Sequence, residues 1–294
     1  MKIDPKELSV AQMHACLLGA VAPRPIAFAS TIDKAGNVNL SPFSYFNVFS
    51  ANPPILVFSP ANRGRDNTTK HSLENVLEVP EAVINIVNYP MVEQMSLAST
   101  EYARGVNEFI KSGLTQVVSE KVQPPRVKES PASFECRVQE VKSLGNEGGA
   151  GNLVICEVVL VHISEEILDE NRRIDPYRLD AVARMGGSYY CHAQGGSIFE
   201  IPKPLTTQGI GVDQIPGAIR NSTVLTGNNL GRLGNIESLP GAEEVAEYGR
   251  RMEVKAMLHG EHSVEHLHKK AQEVLEKGDI KEAWLLLLQN VEAW

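Results

Sequence analysis

The stretch Asn39–Asn75, NLSPFSYFNVFSANPPILVFSPANRGRDNTTKHSLEN, carries two patterns at once. Its apolar residues read as two buried strands separated by Pro53 and Pro54, the second being Ile55–Ser59. Small polar residues (Asn39, Ser41, Ser44, Asn47) interrupt the first run. Arg63, Arg65, Asp66, Thr68, Thr69 and Lys70 follow the second run on the way into a helix that is expected to reach Val79, with Asp66 or Thr68 as its cap. Hydroxyl and guanidinium groups ahead of a helix N-terminus make a phosphate cradle, because free backbone N–H groups and the helix dipole favour an anion and arginine supplies a forked donor. The bland alternative is a solvated loop with a capped helix. The polar residues of the preceding strand favour the cradle, since they offer backbone and hydroxyl groups to a flat polar ligand.

Outward from this stretch, strand-like runs dominate up to about residue 165: Pro25–Ile32, Val38–Phe49, Ile55–Ser59, Ala82–Asn88, Ser133–Lys142 and Leu153–Ile163. Asp33–Asn37, DKAGN, reads as a hairpin turn. Short helices are expected from Pro90, over Val106–Lys111, and within Asp175–Arg184, the last ended by Gly186 and Gly187. Strands do not alternate with long helices, so a doubly wound sheet is disfavoured and a mainly β barrel or sandwich is favoured. From about Gly195 the chain turns Gly/Pro/Asn-rich and reads as an extended arm, followed by amphipathic helices over Ala242–Leu258, His262–Lys277 and Ile280–Ala293. The last carries Trp284 and four consecutive leucines, an apolar tail expected to pack on the barrel or on another subunit. The expected division is therefore residues 1–194 and 195–294.

The chain has 294 residues, enough for one large domain or two, and is 43% hydrophobic and 22% charged, as ordinary globular proteins are. Its formal charge of −8 argues against a general nucleic-acid binder. The N-terminus has no apolar signal region and no run reaches membrane-spanning length, so a cytoplasmic protein is expected. The four cysteines are far apart without metal-ligand spacing and read as buried, inert thiols. His259, His262, His266 and His268 crowd one region but lack an H-E-x-x-H pattern, so a solvated polar face is expected and no metal site. Gly145–Asn152, GNEGGAGN, matches no phosphate-loop spacing and reads as a flexible hairpin. Arg104 and Glu108 read as an i,i+4 pair.

PRPIAFASTIDKAGNVNLSPFSYFNVFSANPPILVFSP, the following RDNTTKHSLEN, NEF…SGLT and ARMGGSYY together resemble the flavin reductase-like family of FMN-binding split barrels. The resemblance covers roughly residues 15–192 and implies a six-stranded antiparallel Greek-key barrel that forms a homodimer, with flavin near the subunit interface. It implies that Asn39–Phe46 lies along the isoalloxazine, with Asn39, Ser41, Ser44, Tyr45 and Phe46 as its neighbours. Ser59, Arg63, Arg65, Asp66, Thr68 and Thr69 would hold the phosphate, with Ser30 and Thr31 close by. Arg184, Gly187 and Tyr189 match a motif near the flavin. His71 and His192 read as packing or capping residues, with contact to phosphate or nicotinamide as the alternative.

No dinucleotide fingerprint is present, so NAD(P)H, if used, binds against the flavin itself. No Ser/His/Asp set or carboxylate pair stands out, and no residue is assigned a chemical step. Three readings stay open: an NAD(P)H-dependent flavin reductase, a flavoredoxin-like electron carrier serving a protein acceptor, and a non-enzymatic assembly module.

Overall fold

The computed structural model describes residues 1–202, 204, 208–258 and 263–291. The chain divides into two compact units, Met1–Phe199 and Glu200–Trp294. The first is built on a seven-stranded antiparallel sheet of β1 (Ala27–Ile32), β2 (Val38–Phe43), β3 (Phe46–Ala51), β4 (Pro54–Phe58), β5 (Glu81–Ile86), β8 (Ala132–Ser143) and β9 (Asn152–Ile163). Two small ribbons, β6 (Gln116–Val117) with β7 (Arg126–Val127) and β10 (Val182–Arg184) with β11 (Tyr190–His192), lie outside it. Helices α1 (Val10–Ala20), α2 (His71–Glu78), α3 (Val92–Leu97), α4 (Glu108–Ser112) and α5 (Pro176–Leu179) complete the unit.

Strand β1 shows how both faces of the sheet are filled. Alternate side chains point to opposite faces of a strand. Ala27 and Ala29 join the cluster around Phe58, Ile84 and Val154, and that side also takes Leu73 and Val76 from α2. Phe28 and its neighbour Ile26 join a second cluster with Leu40, Met91, Met95 and Phe109, which α3 and α4 cover. Both faces are dry, and the strand's two polar residues, Ser30 and Thr31, are themselves fully buried. Small side chains suit the crowded interior and large ones fill the space under the helices.

The sheet order β2-β1-β5-β8-β9-β4-β3 puts β2 and β3 at opposite ends. The sequence reading of Val38–Phe49 as one strand is corrected here: the run is two strands separated by Ser44 and Tyr45. Three residue steps from Phe43 to Phe46 span at most roughly 11 Å. The sheet must therefore curl until its two edges nearly meet, which closes a split barrel around that bend. Of the expected strands, the other five are present with boundaries moved by one to two residues. The DKAGN turn is also as expected: Asp33 accepts from the N–H groups of Ala35 and Asn37, and Gly36 takes φ 87°.

Local expectations fail where tertiary partners decide. Helix α2 begins only at His71, with Lys70 before it and no side-chain cap, because Asp66 and Thr68 spend their hydrogen bonds on each other. Helix α5 stops at Asp180 in the left-handed conformation (φ 53°), well before Gly186, and the chain continues as β10. Residues 104–107 are not helical, so Arg104 and Glu108 cannot form an i,i+4 pair. Arg104 instead meets Glu74 and Glu78, each at 3.2 Å, and Glu108 is buried and accepts from the Leu40 N–H. Cys136 and Cys156 are buried as expected, whereas Cys16 is exposed and Cys191 half-buried; all four are free.

The second unit corrects the expected extended arm. Short helices α6 (Gly217–Arg220) and α7 (Gly227–Leu233) occupy that stretch, and Ile215, Ile219, Leu225 and Leu233 are buried in the unit's own core. The expected single helix over Ala242–Leu258 is two, α8 (Ala242–Gly249) and α9 (Met252–Met257), followed by α10 (Ser263–Glu276) and α11 (Ile280–Leu287). Leu285, Leu286, Leu287 and Leu288 of the leucine-rich tail are buried within the unit's own core. Trp284 is fully buried among them and donates its indole N–H to the Leu233 carbonyl at 3.1 Å. His268 is likewise buried and bonds Ser222 at 2.6 Å, so it is not part of a solvated face; His266 is exposed, and His259 and His262 lie outside the described residues. Among the described residues no helix is long and apolar enough to cross a membrane.

Trp284→Ala should remove the largest side chain of this core and cost about 3–5 kcal/mol. The expected readout is faster proteolytic cleavage within residues 200–294; a variant with wild-type protection there would mean that the helical unit does not depend on Trp284.

Candidate functional site

A cavity of about 470 Å³ opens at the split of the barrel, a size typical of small-molecule sites at ~300–1,000 Å³. Four segments of the first unit form it. The end of β2 and the bend supply Ser41, Pro42, Phe43, Ser44 and Tyr45, and α1 supplies His14 and Leu18. The chain after β4 supplies Ser59 through Arg65, apart from Pro60, while Lys70, Ser99 and Glu101 close the polar side.

The bend is held from within. Arg24 is buried, and its guanidinium donates to the carbonyls of Leu18, Val21 and Met185 and to the Ser44 hydroxyl. One side chain thus ties the end of α1, the bend and the segment after β10 together. Burial pulls the Arg24 guanidinium below its ordinary pKa, but its carbonyl partners favour the charged form. Burial also pushes the Tyr45 phenol up, partly opposed by the Arg24 charge, so it stays a neutral hydrogen-bonding group at physiological pH. The Ser59 N–H donates to the Tyr45 carbonyl at 2.8 Å, which fixes the end of β4 to the same bend.

The polar side is a loop that hydrogen-bonds to itself. Arg63 and Thr68 are joined backbone to backbone at 2.8 Å, and Asn67 takes φ 56° to close the turn. Hydrogen bonds from Thr68, together with that from Arg65, hold the Asp66 carboxyl down at about 2. Arg63 donates to the Thr68 hydroxyl and the Thr69 carbonyl, and Thr69 bonds Glu74.

The GNEGGAGN stretch is packed against this loop rather than free. The Asn62 N–H donates to Ala150, the Gly149 N–H to Asn62, and the Asn152 side chain to Pro60 and Asn62. A Cβ at Gly148 would stand 3.1 Å from the Arg63 carbonyl oxygen, and one at Gly151 would stand 2.8 Å from the Ser59 hydroxyl. The glycines therefore let the hairpin back the cavity wall without displacing the Arg63 carbonyl or the Ser59 hydroxyl.

Of the residues expected at the flavin, Ser41, Ser44, Tyr45, Ser59, Arg63 and Arg65 line this one cavity. Asp66, Thr68 and Thr69 shape the loop behind it. Ser30 and Thr31 are fully buried in β1 and do not line it; Thr31 accepts from Asn75. Asn39 donates to Ser72, so Thr31 and Asn39 anchor α2 and through it Lys70. Phe46 packs toward the barrel interior. Arg184 stacks over Tyr190, Gly187 takes φ 59°, Tyr189 is exposed, and none of Arg184, Gly187 and Tyr189 lines the cavity. His71 borders a small neighbouring pocket, and His192 stacks on Tyr89 at 4.2 Å while bonding Asp180 at 2.6 Å. Sequence reasoning missed His14, Leu18 and Glu101, and it offers Arg24 only as a second choice for the phosphate, whereas its guanidinium holds the bend. Arg24 lies within PRPIAF, where a charge bracketed by prolines before a buried strand was an available signal; Glu101 gave none.

The cavity has an unmet demand. Ser59 is 6% exposed and its hydroxyl has no hydrogen-bond partner, which is costly unless a ligand supplies one. A buried orphan hydroxyl beside Arg63, Arg65 and Lys70 fits a phosphate-bearing ligand. The polar bend opposite fits a ring with hydrogen-bonding edges, so the donor set matches what FMN presents.

Comparison with known proteins agrees with this geometry. A family model described as flavin reductase like domain matches residues 19–178. An uncharacterised protein of Aquifex aeolicus is 38% identical over 195 residues, 66% of this chain and 97% of its own. Among solved structures, nitrilotriacetate monooxygenase component B from Bacillus cereus superposes with a TM-score of 0.64 at 29% identity, covering 68% of this chain and 98% of that one. The 2-nitrobenzoate 2-nitroreductase of Pseudomonas fluorescens gives 0.61 at 25% identity, covering 71% and 100%. With its antiparallel barrel, its cavity at the split and this match over more than half its length, the chain belongs to the flavin reductase-like family of FMN-binding oxidoreductases.

Proposed function

We propose that the chain is an NAD(P)H-dependent flavin reductase that holds FMN in the cavity at the split. The observation that carries this reading is the Ser59 hydroxyl, buried and unpartnered, in one cavity with Arg63, Arg65 and Lys70. In this reading Ser59, Arg63, Arg65 and Lys70 bind the phosphate, while Ser41, Ser44 and Tyr45 bind and orient the ring. Bound there, FMN would supply the redox chemistry between a nicotinamide donor and an acceptor such as free flavin, a protein or oxygen. The barrel excludes water from the inner face of the site. Arg24 keeps the bend, and with it the ring-binding groups, at fixed separation from the cationic loop. Hydride transfer needs no acid–base pair, which is consistent with an orienting rather than a proton-transferring set of residues.

A homodimer belongs to the same proposal. Helix α1 is rich in apolar residues, yet none of them is buried, and His14 and Leu18 on it line the cavity. A second copy covering α1 would bury that surface and narrow the site. Light scattering at micromolar concentration should report a dimer. A monomer would remove this part of the reading.

Arg65→Ala should weaken FMN about tenfold, as expected for one hydrogen bond to a charged group, and leave riboflavin within about twofold. Its own ion pairs with Asp66 and Glu101 are screened by solvent, so the flavin-free protein should keep its melting temperature. Equal loss of both flavins would mean that Arg65 shapes the site as a whole, and loss of neither would place the phosphate elsewhere. Anaerobic NADH or NADPH should bleach the bound flavin; tight FMN that neither reduces would favour the electron-carrier reading.

The pH dependence follows from Asp66. Its folded pKa of about 2 lies below the ordinary value, so the loop's stabilisation is present above ~3.9 and lost only as pH falls through about 2. Between pH 5 and 8 the loop is constant, and the FMN phosphate loses its second proton near ~6. FMN affinity should rise across that window while riboflavin affinity stays flat; parallel changes in both would point to a titrating protein group instead.

A further inference from the structure

Glu101 sits in the irregular segment between α3 and α4, at the rim of the cavity. Its carboxylate is 3.1 Å from Arg63 Nε, 2.6 Å from Arg65 Nη2 and 3.4 Å from Lys70 Nζ. These are the three lysine and arginine side chains that line the cavity, and one carboxylate engages all of them. The donors turned toward Glu101 are the ones an incoming phosphate would need, and a guanidinium N–H that is already given to one acceptor is not free for another. Burial alone would raise the Glu101 carboxyl, but the hydrogen bond from Arg63 and the charges of Lys70, Arg65 and Arg63 outweigh it and hold the group below the usual carboxylate range. Its side chain is 36% exposed, which leaves solvent on one side into which it can turn.

We propose that Glu101 is a built-in competitor for the ligand phosphate: it occupies the cationic cradle in the flavin-free protein and must be displaced when a phosphate monoester enters. The consequence is a site that keeps its cations paired when empty and holds its phosphate ligand exchangeably. This rests on the flavin reading for the identity of the ligand, but the displacement itself requires only a phosphate. A freely exchanging flavin suits a reductase that releases reduced flavin, whereas a fixed carrier gains nothing from a competing anion.

The test is Glu101→Gln in the full chain, which keeps an oxygen acceptor in place and removes the charge. Dissociation constants for FMN, riboflavin and inorganic phosphate are measured by calorimetry, with flavin fluorescence quenching as a second readout. Glu101→Gln should tighten FMN and inorganic phosphate about tenfold, the scale of one like charge at contact distance on a partly exposed site. Riboflavin should stay within about twofold, and the gain should shrink at ~1 M salt, where the screening length is about 3 Å. Unchanged or weakened FMN and phosphate binding, or riboflavin tightened in parallel, would overturn the proposal and make Glu101 a tie for its own loop. Failure of the flavin reading looks different: neither protein would bind either flavin, while the phosphate arm still decides for or against displacement.

Discussion

The connection through Ser44 and Tyr45 governs the rest of the first unit. Two residues join strands at opposite ends of a seven-stranded sheet, and no flat or gently twisted sheet satisfies that distance. Once the edges are forced together, Ser44 and Tyr45 line the cavity, and the Tyr45 carbonyl is taken by the Ser59 N–H at the end of β4. Arg24 makes the arrangement rigid. Three carbonyl acceptors and the Ser44 hydroxyl on one buried guanidinium compensate its desolvation, and charge-assisted bonds of this kind are the stronger class. Removing one partner of such a set leaves the others unsatisfied, so the closure is cooperative.

The cationic loop is ordered by polar contacts alone, because a segment with Gly64 and several charges buries little apolar surface. Its order comes from the Asp66 turn, the Arg63–Thr68 closure and the glycine hairpin behind it. A loop built this way keeps its shape when exposed to solvent. It also keeps guanidinium groups directed at one point, and in this structure that point is Glu101. Convergent positive charge in this cleft accounts for the acidic side chain found there, and it is the feature on which the proposed phosphate site rests.

The second unit has its own logic. Its helices are short, several with few residues per turn of apolar face, and none is long enough to be stable alone. Burial of Trp284, Leu286 and Leu287 against α7, α8 and α10 supplies the stabilisation instead. A helix read in isolation as an apolar tail needing a foreign surface finds that surface within its own hundred residues.

The sequence by itself determined the mainly β class, five of the six strand positions, the DKAGN turn and the group of polar residues around Ser41–Arg65, because these depend on alternation and on punctuation by Gly, Pro and Asn over a few residues. Family resemblance added the flavin. Tertiary structure alone decided that Val38–Phe49 is two strands, since only the pairing of β2 with β1 and of β3 with β4 breaks the run at Ser44. It alone turned Thr31 and Asn39 from ligand candidates into anchors for α2, and brought Glu101 onto Arg63, Arg65 and Lys70 across more than thirty residues of chain. Contacts of that separation leave no periodic trace. They depend on where the barrel closes, and local sequence pattern does not encode which loop a closed barrel will set beside another.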